Sequence, residues 1–207
     1  MFYNLPQTVT VLIVLCIITV GVIRRRSNGF NLDTKVRDYL VKNTSRQSKE
    51  IMGTVTNLAN VDSIWVMTVP IVFYLTSEKK YEIASAIILS IITGVIASQG
   101  LKFLFRIHRP ATAKEYYDLG YSFPSGHSTV GMSYYLTMGF VLSDMAGGKP
   151  IIVMALGLLA VLIGLSRLVL GVHWFTDVVI GLLLGAICCY WVIFLFSTGY
   201  YIKLIYK

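Results

Sequence analysis

Hydrophobic residues fall in long blocks rather than alternating with polar ones, and charge-free runs extend over Leu5 to Ile23, Ile83 to Leu101, Pro150 to Ser166 and Val178 to Ile202. A helix crosses a bilayer with about 20 mostly apolar residues, so each run predicts one span. Two shorter runs, Ser63 to Ser77 and Thr129 to Ser143, reach that length only by extending into polar flanks, through Asp62 and back to His127. The pattern predicts an all-α integral membrane bundle of six transmembrane helices, forming a single membrane-embedded domain over residues 1–207. No basic residue precedes the first run, no small-residue cleavage site ends it, and Arg24-Arg25-Arg26 follows at once, so it reads as a retained helix rather than a signal peptide.

The sizeable polar stretch lies between the first two spans, from Arg24 to Glu50. Leu32, Val36, Tyr39 and Leu40 recur there at helical spacing, and Asp33 stands four residues before Arg37. This predicts an interfacial amphipathic segment with an Asp33–Arg37 pair; the plainer reading is a solvated connector. Composition agrees with the membrane reading. AVILMFWYC make up 56% of the chain and charged residues 14%, against about 25% charged in soluble domains. The net charge of +8 is not arrayed along one surface, so nucleic acid is not an expected partner. Cys16, Cys188 and Cys189 sit inside the first and last apolar runs, where thiols act as small hydrophobes and no disulfide framework is indicated.

Counting six crossings puts the connections after the first, third and fifth spans on one face, and that face gathers the chemistry. Lys102 and Arg109 flank the end of the third span, Ser125 and His127 open the fourth, and Arg167, His173 and Asp177 lie between the fifth and sixth. Ionisable residues near a membrane core are costly and are functional candidates by default. Three permanent cations around two histidines, with one nearby carboxylate, favour an anion. His127, His173 and Asp177 are metal-ligand types, but the surrounding cations disfavour a divalent ion, so no metal and no cofactor are expected.

Phosphate suits such a pocket, because Arg offers a planar fork of donors and Lys a point charge. In Pro124-Ser125-Gly126-His127, Ser125 is a natural N-cap, Gly126 allows close approach of a backbone N–H, and the helix start adds a positive dipole end. Alone, the tetrapeptide could be only a helix start. His173 and Asp177 are four apart, so at the start of a helix they share a face and the carboxylate can fix one imidazole tautomer. That makes His173 a plausible nucleophile toward phosphorus, with His127 protonating the departing alkoxide and then activating water. Taken singly, an interfacial His is more often a bystander and a helix-end Arg often snorkels to headgroups. Arg106 and His108 have no role in the scheme. Tyr116, Tyr117, Tyr121 and Phe123 suggest an interfacial aromatic belt or the lining of a lipid path.

Three motifs carry a family resemblance: Lys102 with Arg109-Pro110, then Pro124-Ser125-Gly126-His127, then Ser166-Arg167 with His173 and Asp177. In order and spacing they resemble the type 2 phosphatidic acid phosphatases, in particular bacterial phosphatidylglycerophosphatase B-like members. The resemblance implies six transmembrane helices, His173 as nucleophile, Asp177 as its orienter and His127 as acid. It also implies that Lys102, Arg109, Ser125, Gly126 and Arg167 hold phosphate. The related vanadium haloperoxidases use a similar pocket for vanadate, but they are soluble. No motif position departs from the pattern, while residues before Lys102 match only in general layout.

The expected function is hydrolysis of the terminal monoester of phosphatidylglycerophosphate, with membrane phospholipid as substrate; undecaprenyl pyrophosphate and phosphatidic acid are the next candidates. A transporter would place its charges near the bilayer midplane, and a non-catalytic lipid-binding protein would not need the full motif set. The resemblance implies a cell-membrane protein with its pocket on the extracytoplasmic face. The positive-inside count opposes that side: Arg24 to Glu50 holds eight Lys and Arg, whereas Lys79, Lys80, Lys149, Lys203 and Lys207 are all the opposite face has.

Overall fold

The computed structural model describes residues 4–26, 30–110 and 120–197, and among them the regular structure is entirely helical. In chain order the helices are α1 (Asn4–Arg26), α2 (Asn31–Asn43), α3 (Arg46–Asn57), α4 (Val61–Ser77), α5 (Tyr81–Phe105), α6 (Gly126–Met145), α7 (Pro150–Val169) and α8 (Phe175–Ser197). The chain is a multi-pass membrane protein. α1, α5, α7 and α8 are each long and apolar enough to cross a bilayer, and α3 with α4, bent by 44°, makes a fifth candidate.

Length and composition thus give four or five spans, where the sequence pattern predicts six. The shortfall comes mainly from α6. This helix packs against α5, α7 and α8 at the centre of the bundle, so it meets other helices more than lipid. Its buried positions include Ser128, Thr129, Ser133, Tyr134 and Thr137. Such residues allow close helix approach and supply interhelical hydrogen bonds. Ser133 Oγ donates to the Ser90 carbonyl at 2.8 Å, Tyr135 Oη to the Leu58 carbonyl at 2.8 Å, and Thr68 Oγ1 to Tyr134 Oη at 3.1 Å. Both short runs extend as expected, α4 back to Val61 and α6 back to Gly126.

α6 and α8 meet over glycine. A Cβ at Gly181 would lie 2.8 Å from the Ser125 carbonyl oxygen and 2.9 Å from Ser128 Cβ, closer than packed atoms tolerate. Gly181 therefore lets the start of α6 lie directly on α8. On the outside, Leu12, Leu15, Ile96, Phe103, Met154 and Leu158 are exposed, which gives the bundle an apolar jacket.

The Arg24 to Glu50 segment takes in the end of α1, then α2 and the first turn of α3. Its apolar residues do not form one buried stripe: Leu32 and Tyr39 are exposed, Val36 and Leu40 half-buried, and the fully buried residue of α2 is Asp33. Nor does Asp33 pair with Arg37. Arg37 turns to Asp38 at 2.7 Å, and Asp33 is taken by Arg24, because a buried carboxylate requires a buried partner that a surface i,i+4 neighbour does not supply. The aromatic belt is also revised. Phe123 is fully buried edge-on against Phe105, at 5.6 Å between ring centroids, and Tyr121 is half-buried. Tyr116 and Tyr117 lie outside the described residues.

Candidate active site

Three chain segments converge at one end of the bundle. At the start of α6, Ser125 is the N-cap: its Oγ accepts from the Ser128 backbone N–H at 3.4 Å and from Ser128 Oγ at 2.9 Å. The Ser125 backbone N–H donates to the Asp177 carbonyl at 3.0 Å, tying this turn to α8. Gly126 presents bare backbone toward Lys102, whose Nζ would stand 3.6 Å from a Cβ built there.

The His173–Asp177 contact has a different origin from a shared helical face. His173 lies in the turn before α8, which begins at Phe175. The Asp177 carboxylate reaches back to cap that turn, with Oδ2 accepting from the Trp174 N–H at 2.9 Å and from His173 Nδ1 at 3.3 Å. Ser122 Oγ donates to the same oxygen and lies 3.4 Å from Nδ1. With Nδ1–H committed to Asp177, the lone pair of His173 is assigned to Nε2. Arg109 Nη1 donates to Nε2 at 3.0 Å. Burial first, then the charges of Arg109, Arg167 and Lys102, hold the His173 pKa well below 6.5. The imidazole is therefore neutral at physiological pH.

Backbone carbonyls fix Arg109: its Nε donates to Gly120 at 3.1 Å and its Nη1 to Val172 at 2.9 Å. Arg167 is buried, and its Nη1 donates to Thr56 Oγ1 at 2.8 Å. His127 Nε2 lies 2.8 Å from Asn60 Oδ1.

A cavity of about 720 Å³ brings most of these groups together. Lys102, Arg109, Gly126, His127, Arg167 and His173 form its polar end, and Ile64, Trp65, Ile91, Ile92, Val95 and Ile96, from α4 and α5, line its apolar flank. A second cavity of about 580 Å³ shares Asn60, His127 and Arg167 and opens past Arg46 and Lys49. Of the eight residues singled out from the sequence, six line the larger cavity. Asp177 is fully buried behind His173. Ser125 is also fully buried, with its hydroxyl satisfied within the first turn of α6. Arg106 and His108 are exposed, although the His108 carbonyl accepts from Trp174 Nε1 at 3.0 Å.

Ser122, Thr56 and Asn60, which bond Asp177, Arg167 and His127 respectively, do not stand out in the sequence. Ser122 stands three residues before Ser125, but no spacing rule links it to Asp177, 55 positions away. Asn60 precedes an apolar run and reads as a helix cap.

Residues 83–200 match the PAP2 superfamily, a stretch that contains all eight candidate residues. The chain belongs to that superfamily. Over 81 residues it is 37% identical to phosphatidylglycerophosphatase B of Bacillus subtilis (strain 168), an alignment covering 37% of this chain and 40% of that one. The chain thus aligns with about two-fifths of that relative's length. The fold is similar to the crystal structure of the first transmembrane PAP2-type phosphatidylglycerolphosphate phosphatase from Bacillus subtilis, with TM-score 0.76, 24% identity, and coverage of 91% of this chain and 96% of that one. It is also similar to Aquifex aeolicus LpxE, with TM-score 0.65, 25% identity, and coverage of 79% and 96%.

Proposed function

We propose that this protein is a membrane lipid phosphatase that removes the terminal phosphate from phosphatidylglycerophosphate, giving phosphatidylglycerol and inorganic phosphate. The observation that carries the reading is the divided character of the 720 Å³ cavity: three cations and two imidazoles at one end, apolar side chains of α4 and α5 along the other. Trp65, Ile92 and Ile96 of that apolar flank are exposed, so it continues onto the lipid-facing surface. A phosphate ester with an acyl tail matches both ends, and the tail reaches the site sideways from the bilayer. The identity to phosphatidylglycerophosphatase B supports the choice of headgroup.

In the proposed reaction, Lys102, Arg109 and Arg167 neutralise the phosphoryl oxygens, and Arg109 Nη1 passes from His173 Nε2 to one of them as substrate enters. Nε2 attacks phosphorus, a P–N bond forms, and the P–O bond to the glycerol breaks. His127 supplies a proton to the departing alkoxide, then takes one from a water that attacks the phosphohistidine and releases phosphate. Asp177 holds Nδ1–H and stabilises the positive charge that develops on the ring. Ser125 contributes by shaping the α6 start, so that Gly126 and the helix N-terminus face the anion.

In this reading α4 and α6 also span the bilayer, giving six spans, and the site end of the bundle faces the extracytoplasmic side of the cell membrane. A second reading, a lipid diphosphate substrate, is favoured by the adjoining 580 Å³ cavity, where Arg46 and Lys49 stand beyond Arg167. The test is release of phosphate from a panel of lipid phosphates by purified protein in excess chelator. Turnover fastest on phosphatidylglycerophosphate is expected. Preference for the diphosphate selects the second reading, and activity that requires a divalent ion contradicts the mechanism.

A further inference from the structure

The basic segment that begins at the end of α1 is not absorbed by the reaction, and its first arginine does not face solvent. Arg24 is 3% exposed, although Arg25 beside it is exposed. Its guanidinium bridges two carboxylates far apart in sequence. Nη1 is bonded to Asp33 Oδ2, and Nη2 lies 3.6 Å from Asp177 Oδ1. Its face stands 5.2 Å from the ring centroid of Trp174, the residue between His173 and α8, and Arg37 lies 5.4 Å from the same ring.

Asp33 is fully buried as well and grips the start of α8. Its Oδ1 accepts from the Thr176 N–H at 2.8 Å and its Oδ2 from Thr176 Oγ1 at 3.0 Å, across 143 residues of chain. Thr176 immediately precedes Asp177. The Asp177 carboxylate is unevenly served. Oδ2 receives Ser122, Trp174 and His173, while Oδ1 has no hydrogen-bond partner among the described residues and faces Arg24. A buried carboxylate stays ionised only if a charge or a set of donors compensates it, and only an ionised Asp177 can stabilise a cationic His173.

We propose that Arg24 and Asp33 are positioning residues for the His173–Asp177 dyad. Arg24 supplies the counter-charge on the far oxygen of Asp177, so that Oδ2 stays turned toward Nδ1. Asp33 anchors both Arg24 and the peptide group preceding Asp177. The first helix and α2, which lie outside the stretch matching the superfamily, thereby complete the site from behind. The inference rests on the proposed role of His173.

The test is a double-mutant cycle on the full chain in lipid nanodiscs, reading kcat and KM for the preferred lipid phosphate. Arg24→Gln is expected to lower kcat by about 10- to 100-fold, as loss of an outer-shell partner does, with KM changed less than about threefold. Arg24→Lys, which keeps a cation but loses the fork, falls between it and the wild type. In an Asp177→Asn background each Arg24 substitution costs less than about threefold more, because the carboxylate on which it acts has been neutralised. If Arg24→Gln is not recovered folded, the same cycle is read on Arg24→Lys. Unchanged kcat in both single variants overturns the proposal, and so do losses that add in full to that of Asp177→Asn. Failure of the underlying reading looks different: His173→Ala then retains turnover.

Discussion

The Nε2 atom of His127 lies 2.8 Å from the amide oxygen of Asn60, which holds its own amide nitrogen 3.1 Å from Asn57 Oδ1. The second contact fixes which way the Asn60 amide points, so Nε2 carries a proton toward Oδ1. That bond persists whether the imidazole is neutral or cationic, so in the proposed reaction Nδ1 is the nitrogen that gives and regains a proton. Asn60→Ala is therefore expected to lower kcat by about 10- to 100-fold, part of the value of a positioned acid–base group, with little change in thermal stability. Steady-state kinetics beside a melting curve check it; wild-type kcat would remove Asn60 from the site.

The contact of α6 with α8 is the second point at which a small change has a large effect. At Gly181 an added methyl group meets the Ser125 carbonyl oxygen at 2.8 Å. Gly181→Ala should destabilise the fold by about 1–3 kcal/mol, the usual cost of overpacking. It should also lower activity, because it pries the turn holding His127 away from the helix holding Asp177. Denaturation in detergent reads the first effect and initial rates the second.

The protonation state of His173 gives a prediction with a definite sign. Its pKa is lowered by burial and by Arg109, Arg167 and Lys102, so the ring stays unprotonated as pH falls through 6.5, where an ordinary imidazole would be half protonated. Carbethoxylation at His173, followed by the mass of its peptide, should keep a constant intrinsic rate from pH 8 to about pH 6. A halving of that rate near pH 6.5 would show an unperturbed imidazole.

Sidedness can be read with two engineered cysteines, at Ser45 between α2 and α3 and at Ser77 ending α4, in a background lacking Cys16, Cys188 and Cys189. An impermeant maleimide added to intact cells should label the Ser45→Cys protein and spare the Ser77→Cys protein. The reverse pattern would put the site inside, as the basic residues of the first connection suggest.

How far these features could be read from sequence depends on the distance over which they act. The motif residues stood out in the sequence by their types and local spacing, and the structure brings six of the eight to one cavity; that they hold phosphate there is the proposal. Their supports were not. Thr56 meets Arg167 across 111 positions where α3 packs on α7, and Asn60, between α3 and α4, meets His127 of α6 across 67; neither separation is visible in the local sequence. Local rules also misled. The i,i+4 spacing of Asp33 and Arg37 predicts a pair, but burying Asp33 beside α8 gave it to Arg24 instead. Apolar runs located the lipid-facing helices well, whereas α6 is less apolar because its neighbours are helices rather than lipid.

The central claim, that phosphorus passes through a covalent bond to His173, is tested most directly by rapid acid-free quenching during turnover of lipid labelled with ³²P in the terminal phosphate. The account predicts an acid-labile, base-stable label on the peptide containing His173, absent in His173→Ala and lingering longer when His127 is replaced. No labelled protein during steady turnover, or label on a different residue, would contradict it.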